Sequence, residues 1–427
     1  MQPTNPFPLK DIDLSTWKFW QRPLDEREAA FETLRREQPV AFFAEGETSF
    51  GIEGEGYWAL TRYDDVMTAS RNPEIYCSAE GATSIANMPE EARNFFGSMI
   101  NLDDPQHVRL RNLVAKAFTP VHLRKVEADV QVAARRVLNG VIERGACDFV
   151  IDLAAPFPIQ IICDMMGIPE SQYDFVFDKT NIILGGADPE FIDNVAERMS
   201  IAVQAGKDLF MLMDDLRRHR LQHPSDDLTS ALVNAEIDGD RLTDQEIGSF
   251  FILLTAAGNE TTRNAISHGM KALCDHPDQL TQWRQDFDTL VNPAVEEIVR
   301  WASPVIFMRR TTTCETEIGG QSLDEGAKVV LFYNSANRDD RVFAGPYRFD
   351  ITRSPNLHVG FGGPSPHFCL GANLARREIE VFFRELFTRV PDLEITSEPE
   401  YLISHFINGI KHMSCRFTPG SVVDNGS

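Results

Sequence analysis

Cys369 is preceded by a run dense in glycine and proline and followed at once by a helical pattern: Phe361-Gly-Gly-Pro-Ser-Pro-His-Phe-Cys-Leu-Gly371. A cysteine placed so sits beside the free backbone N–H groups of a helix N-terminus. These lower a thiol pKa and favour the thiolate, the form that ligates metal. A buried structural cysteine after a turn would share this local sequence, so the reading depends on what accompanies it. One companion is Ala256-Ala-Gly-Asn-Glu-Thr-Thr262, in the middle of an apolar run. Glycine costs roughly 1 kcal/mol in a helix interior, and β-branched threonines are poor helix formers. Glu260 needs a partner or water there, because burying a bare charge is expensive. Thr261 can hydrogen-bond back to the Ala257 carbonyl and bend the helix. Glu297 and Arg300 are an i, i+3 pair able to form a salt bridge on one helix face. His107 and Arg111 lie four apart, and Arg309, Arg310 and His358 are further donors. Such donors suit an anionic group such as a carboxylate, although each alone could be surface charge.

The chain that must position these residues has 427 of them, with 43% hydrophobic and 25% charged. That is the composition of a globular protein and excludes a disordered or collagen-like chain. The net charge of −23 disfavours nucleic acid and anionic membrane surfaces as general partners. The seven cysteines are scattered and none form C-x-x-C, which argues against a disulfide framework or a cysteine-rich zinc site. Met1 to Trp20 lacks a basic segment followed by an apolar one, and the apolar stretch Ile247 to Asn259 is too short to span a bilayer. A soluble protein in the cytoplasm is expected.

No repeat, low-complexity tract or Gly/Ser linker divides the chain, so one domain over 1–427 is expected, with an extended segment over about 1–20 and a tail over about 418–427. A helix is predicted over Asp25 to Gln38, a strand at Tyr57 to Thr61, and a helix from an N-cap at Asp64 to about Ser70. Thr119-Pro120 opens another helix, and Val126 to Glu143 has helical spacing. Ile159 to Met166 is apolar almost all round and ends at Gly167, as a buried helix with a glycine cap does. Thr243 and Glu246 form a capping box before one long helix to about Leu273. After Trp301, β-like runs appear at Thr311 to Ile318 and Lys328 to Phe332, and a last helix runs from near Gly371 to about Arg389. The fold class is mainly α with a minor β region.

Taken in order and spacing, these signals resemble the cytochrome P450 superfamily, the haem-thiolate monooxygenases. The resemblance runs from about Phe31 to Phe417. It rests on Ala257-Gly-Asn-Glu-Thr-Thr262, Glu297-x-x-Arg300, Phe349-Asp350 after Asn337-Arg-Asp339, and the Cys369 loop. It implies a single large helical domain with small sheets, and a b-type haem between the long helix and the cysteine loop. Cys369 would then be the axial thiolate. Glu260 and Thr261 resemble the family's acid–alcohol pair, which orders water and relays protons to dioxygen. Ala257, Phe361 and Gly371 would contact the cofactor. His107, Arg111, Arg310 and His358 stand where haem-propionate partners do, with Arg309 a competitor to Arg310. Glu297 and Arg300 look structural. One departure concerns the pattern F-G-x-G-x-H-x-C-x-G: Phe361 lies eight rather than seven before Cys369, and Ser365 stands where glycine is usual, which puts the role of Phe361 in doubt.

The haem domain uses the whole length, so the resemblance implies electrons from a separate small ferredoxin served by a reductase. Arg109, Lys116, Arg124, Lys125, Arg376 and Arg377 form a candidate basic docking patch. Segments such as Arg300-Trp-Ala-Ser-Pro304 and His367-Phe-Cys-Leu-Gly-Ala-Asn373 are similar to mycobacterial hydroxylases that attack the terminal carbon of methyl-branched lipids and sterol side chains. Related terpene hydroxylases share Phe406-Ile-Asn-Gly-Ile410. An apolar substrate pocket is expected from Phe95, Phe96, Met99, Leu253, Ala256, Val305, Ile306, Phe406 and Ile407, which would equally serve as core. Ring hydroxylation of a steroid or terpenoid, tailoring of a secondary metabolite, and a haem-binding sensor that never turns over are the alternatives.

Overall fold

The computed structural model describes residues 6–46, 54–117, 120–237 and 239–424. In chain order it contains α1 (Leu24–Glu37), β1 (Val40–Phe43), β2 (Tyr57–Leu60), α2 (Tyr63–Arg71), β3 (Tyr76–Cys77), α3 (Gln106–Ala117), α4 (Pro120–Asn139), α5 (Pro156–Met166), α6 (Tyr173–Gly185), α7 (Arg198–Gln222), α8 (Asp244–Asp275), α9 (Phe287–Ala302), β4 (Phe307–Thr312), β5 (Lys328–Phe332) and α10 (Ala372–Arg389), with shorter pieces between. The mainly helical expectation with a minor β part holds.

Local chemistry explains several boundaries. Thr243 caps α8 reciprocally with Glu246, as the capping box requires. Gly167 ends α5 at φ 73°, a left-handed conformation that suits glycine. Asp64, by contrast, is not a cap. Arg62 precedes α2, and the Tyr63 N–H is taken by the Asp339 carboxylate at 2.9 Å from far along the chain. Thr119 lies outside the described residues, and α4 begins at Pro120. It stops at Asn139 rather than Glu143, where turns replace it.

The central helix α8 packs against α5, α6, α7, α9 and α10. The main apolar core surrounds it. A Cβ on Gly258 would meet the Ile162 side chain at 2.8 Å, so the glycine that weakens α8 locally is what lets α5 approach it. The larger sheet has the order β1-β2-β5-β4-β3, with β2 and β5 parallel and the other neighbours antiparallel. In β4, Arg309 faces Val330 and Arg310 faces Val329 across the ladder. Successive strand residues point to opposite faces, so the two arginines must diverge. Among the described residues, no helix is long and apolar enough to cross a membrane.

Candidate functional site

The cysteine loop closes despite its extra residue. The Cys369 N–H donates to the Phe361 carbonyl at 3.0 Å, and the Gly362 N–H donates to Val359 at 2.9 Å. Gly362 sits at φ 74°, where a side chain would be strained. Phe361 thus has a defined role: its carbonyl anchors the cysteine backbone and its ring lies under the Arg376 guanidinium at 4.4 Å. Gly371 is the N-cap of α10. Burial pushes the Cys369 thiol up, against the Gly371 N–H and the positive charges of Arg111 and Arg376. These are the groups that would stabilise a thiolate.

Four basic side chains meet beside this loop. His107 is buried, with its ring 4.2 Å from that of His367. The His107 Nδ1 faces Asp104 at 3.3 Å, while its buried Nε2 has no partner. Arg111 donates to the Phe368 carbonyl at 2.7 Å. Arg310, not Arg309, turns toward His367. Arg309 points the other way and donates to the Ile85 carbonyl at 3.0 Å. Burial, with Arg310, His107 and Arg111 nearby, lowers the His367 pKa to about 3, which leaves a neutral imidazole.

His367 was missed, although the family pattern itself places a histidine two residues before the cysteine. His358, expected in this cluster, is committed elsewhere. Its Nε2 meets Glu296 at 2.8 Å, and Arg376 holds the same carboxylate. Burial raises the Glu296 pKa, but these two hydrogen bonds outweigh it and hold the carboxyl at about 2. The candidate docking patch also changes: Arg109 is paired with Glu246 and Asp240, Arg376 with Glu296, and Arg377 with Glu380. The Lys116, Arg124 and Lys125 side chains lie outside the described residues.

On α8 the acid and the alcohol part company. Thr261 donates to the Ala257 carbonyl at 2.6 Å and lines a cavity of about 270 Å³. Glu260 is buried and bound by Arg263 and by Asn264 Nδ2 at 3.2 Å. Of the expected pocket residues, Phe96, Leu253, Ala256, Val305, Phe406 and Ile407 line the cavity, as does Ala257. Phe95 instead packs edge-on against Phe210. Met99 joins the core, and its neighbour Ile100 lines the cavity. Ile306 is buried in the core beside the sheet.

Thr262 reaches the other way and donates to Glu378 on α10 at 2.9 Å. Burial pushes the Glu378 carboxyl up to about 8, against that hydrogen bond. Between the ordinary glutamate pKa and 8 the folded chain holds a proton that the unfolded chain has lost. Stability therefore falls as pH rises through this window, by up to about 1.4 kcal/mol per pH unit. Glu378→Gln should remove the slope. In urea denaturation the variant should gain on the parent steadily from about pH 5 to pH 8. A constant offset between the two would contradict the assignment.

The site suits a haem. Cys369, with the Gly371 N–H and the charges of Arg111 and Arg376 beside it, can supply a thiolate to an iron. The unpartnered His107 Nε2, with Arg111, Arg310 and His367, offers the donors two propionates require.

The Cytochrome P450 family model matches residues 159–390. The methyl-branched lipid omega-hydroxylase of Mycobacterium tuberculosis is 51% identical over 407 residues, 95% of this chain and 94% of its own. The steroid C26-monooxygenase of Mycolicibacterium smegmatis is 37% identical over 90% of this chain and 89% of its own. Among solved structures, a Mycobacterium marinum cytochrome P450 in complex with pseudoionone is 40% identical with a TM-score of 0.91, covering 96% of this chain and 99% of that one. Such likeness along nearly the full length makes this chain a member of the cytochrome P450 family of monooxygenases.

Proposed function

We propose that this P450 hydroxylates the terminal carbon of a methyl-branched lipid, in one haem domain that takes electrons from a separate small ferredoxin and its reductase. The reading is carried by the cavity wall, apolar along Ile182, Ile183, Ile252, Leu253, Val305 and Ile407 and ending at Ala257 and Thr261. The relative named for branched lipids supports it. A cytoplasmic setting accords with the free thiols of the described cysteines.

Haem bound at Cys369 supplies the activation of O2, and the overall balance is R–H + O2 + two electrons + two protons → R–OH + water. The chain's own residues do the rest. Cys369 would hold the haem iron through its thiolate. His107, Arg111, Arg310 and His367 would hold the propionates. Leu253, Ala256, Val305 and Ile407 orient the aliphatic chain and exclude water. The Thr261 hydroxyl hands on protons at its Oγ1. Glu260 serves as the acid behind it once Arg263 releases its carboxylate.

The test is a titration of the purified haem-loaded protein with a phytanic-type acid, a linear acid of equal length, cholestenone and linalool, following the spin-state shift. The expected result is a saturable shift several-fold tighter for the branched acid than for the linear one. Equal affinities would overturn the reading. A steroid substrate is the second reading, supported by the steroid C26-monooxygenase relative, and tighter binding of cholestenone would favour it.

A further inference from the structure

Arg198 opens α7 and is only 7% exposed. It is the one charged side chain among the residues that line the cavity, and no Asp or Glu lines it. No carboxylate among the described residues pairs with it, and its Nε is shielded from solvent without a hydrogen-bond partner. The Nε of Arg27, Arg263, Arg309 and Arg338 is likewise unpartnered, but Arg263 is bound to Glu260, Arg309 donates to the Ile85 carbonyl and Arg338 to the carbonyls of Arg300 and Trp301. The nearest acid in sequence is Glu197, the exposed N-cap of α7. Past that N-cap the first turn of this 25-residue helix carries no acid. The Trp17 ring lies 6.0 Å from the guanidinium and shields it. His405 lines the same cavity and packs edge-on against Trp17 at 5.5 Å. Burial lowers its pKa to about 4, so it is neutral. A buried cation in an apolar cavity is expensive unless an anion meets it.

We propose that Arg198 is a specificity-determining residue that receives the carboxylate of the substrate, so that the enzyme takes its branched lipid as the free acid. The inference rests on the branched-lipid reading above and names the head group that reading leaves open. Phe210 of α7 packs on Gly248 of α8. Arg198, at the start of α7, and Thr261, within α8, line the same cavity. A chain whose carboxylate meets Arg198 can run along the apolar wall of that cavity toward Ala257 and Thr261. Anchoring at one end thus supports oxidation at the other.

The test compares a branched acid with its methyl ester, by spin-state titration of the haem-loaded parent, Arg198→Gln and Arg198→Lys. The ester keeps the carbonyl acceptor and loses the charge. The parent should bind the acid about tenfold or more tighter than the ester, as a charge-assisted pair predicts. Arg198→Gln should lose that preference with ester affinity unchanged, and Arg198→Lys should keep most of it. Equal binding of acid and ester by the parent overturns the proposal. So does an Arg198→Gln variant that weakens both ligands alike. If Arg198→Gln fails to load haem, the parent ratio and Arg198→Lys decide. A branched ester that still outcompetes a linear ester, with no preference for acid, would sink the carboxylate anchor and leave the branched-lipid reading intact. Loss of the branched preference in both acid and ester would sink that reading instead.

Discussion

Glu297→Gln should destabilise the protein by about 3–5 kcal/mol and prevent it from holding haem in a thiolate-ligated state. The side chains of Glu297 and Arg300 are wholly buried, and two bonds of 2.7 Å join them. Glu297 also accepts from the Asp350 N–H at 2.9 Å, and from Arg353 Nε and Asn356 Nδ2 at 3.1 Å each. Arg300 donates to the carbonyls of Asn337 and Pro346 at 2.9 Å. One carboxylate and one guanidinium thus fasten α9 to the irregular segment that leads into the cysteine loop. An amide keeps the volume but not the charge. It leaves two buried guanidinium groups facing a neutral side chain and presents its own N–H₂ donors where only acceptors fit. The measurement is the urea midpoint together with the carbon monoxide spectrum of the reduced protein. A loss below about 1 kcal/mol with a normal spectrum would show that the network is dispensable. Arg384, whose partner Asp288 is 83% exposed, is the control: breaking that surface pair should cost under about 1 kcal/mol.

The parts of the fold legible in the sequence were those where local chemistry decides. The capping box at Thr243, the left-handed glycine at 167 and the glycine-proline density before Cys369 all act over a few residues. They place α8, α5 and the loop almost to the residue. What escaped depends on contacts across the chain. The start of α2 is set by Asp339, which local sequence around Asp64 cannot reveal. His358 is drawn away by Glu296 on another helix, and the vacated place belongs to His367. Three of the nine expected pocket residues, Phe95, Met99 and Ile306, fall outside the cavity for a different reason. Apolar side chains suit a cavity and a core equally, and only direction separates them. Phe95 and Phe96 are about 100° apart on their helix, so one faces the cavity and the other faces Phe210. The same argument in a strand divides Arg309 from Arg310. Arg198 escaped because nothing in Glu-Arg-Met tells a buried arginine from a solvated one.

Thr261→Ala should leave folding and substrate binding intact while electrons are diverted from product. The hydroxyl donates to the Ala257 carbonyl inside α8, a bond that competes with regular helix geometry, and alanine is the better helix former. The substitution therefore should not lower the urea midpoint, and it widens the cavity slightly rather than filling it. What it removes is the cavity-lining hydroxyl four residues after Ala257, about three turns along α8 from the other one, Ser249, and at the place where a proton must arrive for turnover to finish. Each general acid–base group typically contributes about 10²–10⁴-fold. Product formed per electron consumed should accordingly fall by about tenfold or more, with hydrogen peroxide taking up the difference. Thr261→Ser keeps the hydroxyl and should restore most of the coupling. A structural role predicts the opposite pattern: a shifted midpoint, weaker spin-state binding, and coupling that serine does not rescue. Unchanged coupling in the alanine variant would remove Thr261 from the proton path and leave Glu260, clamped by Arg263 three residues away, without a route to the cavity.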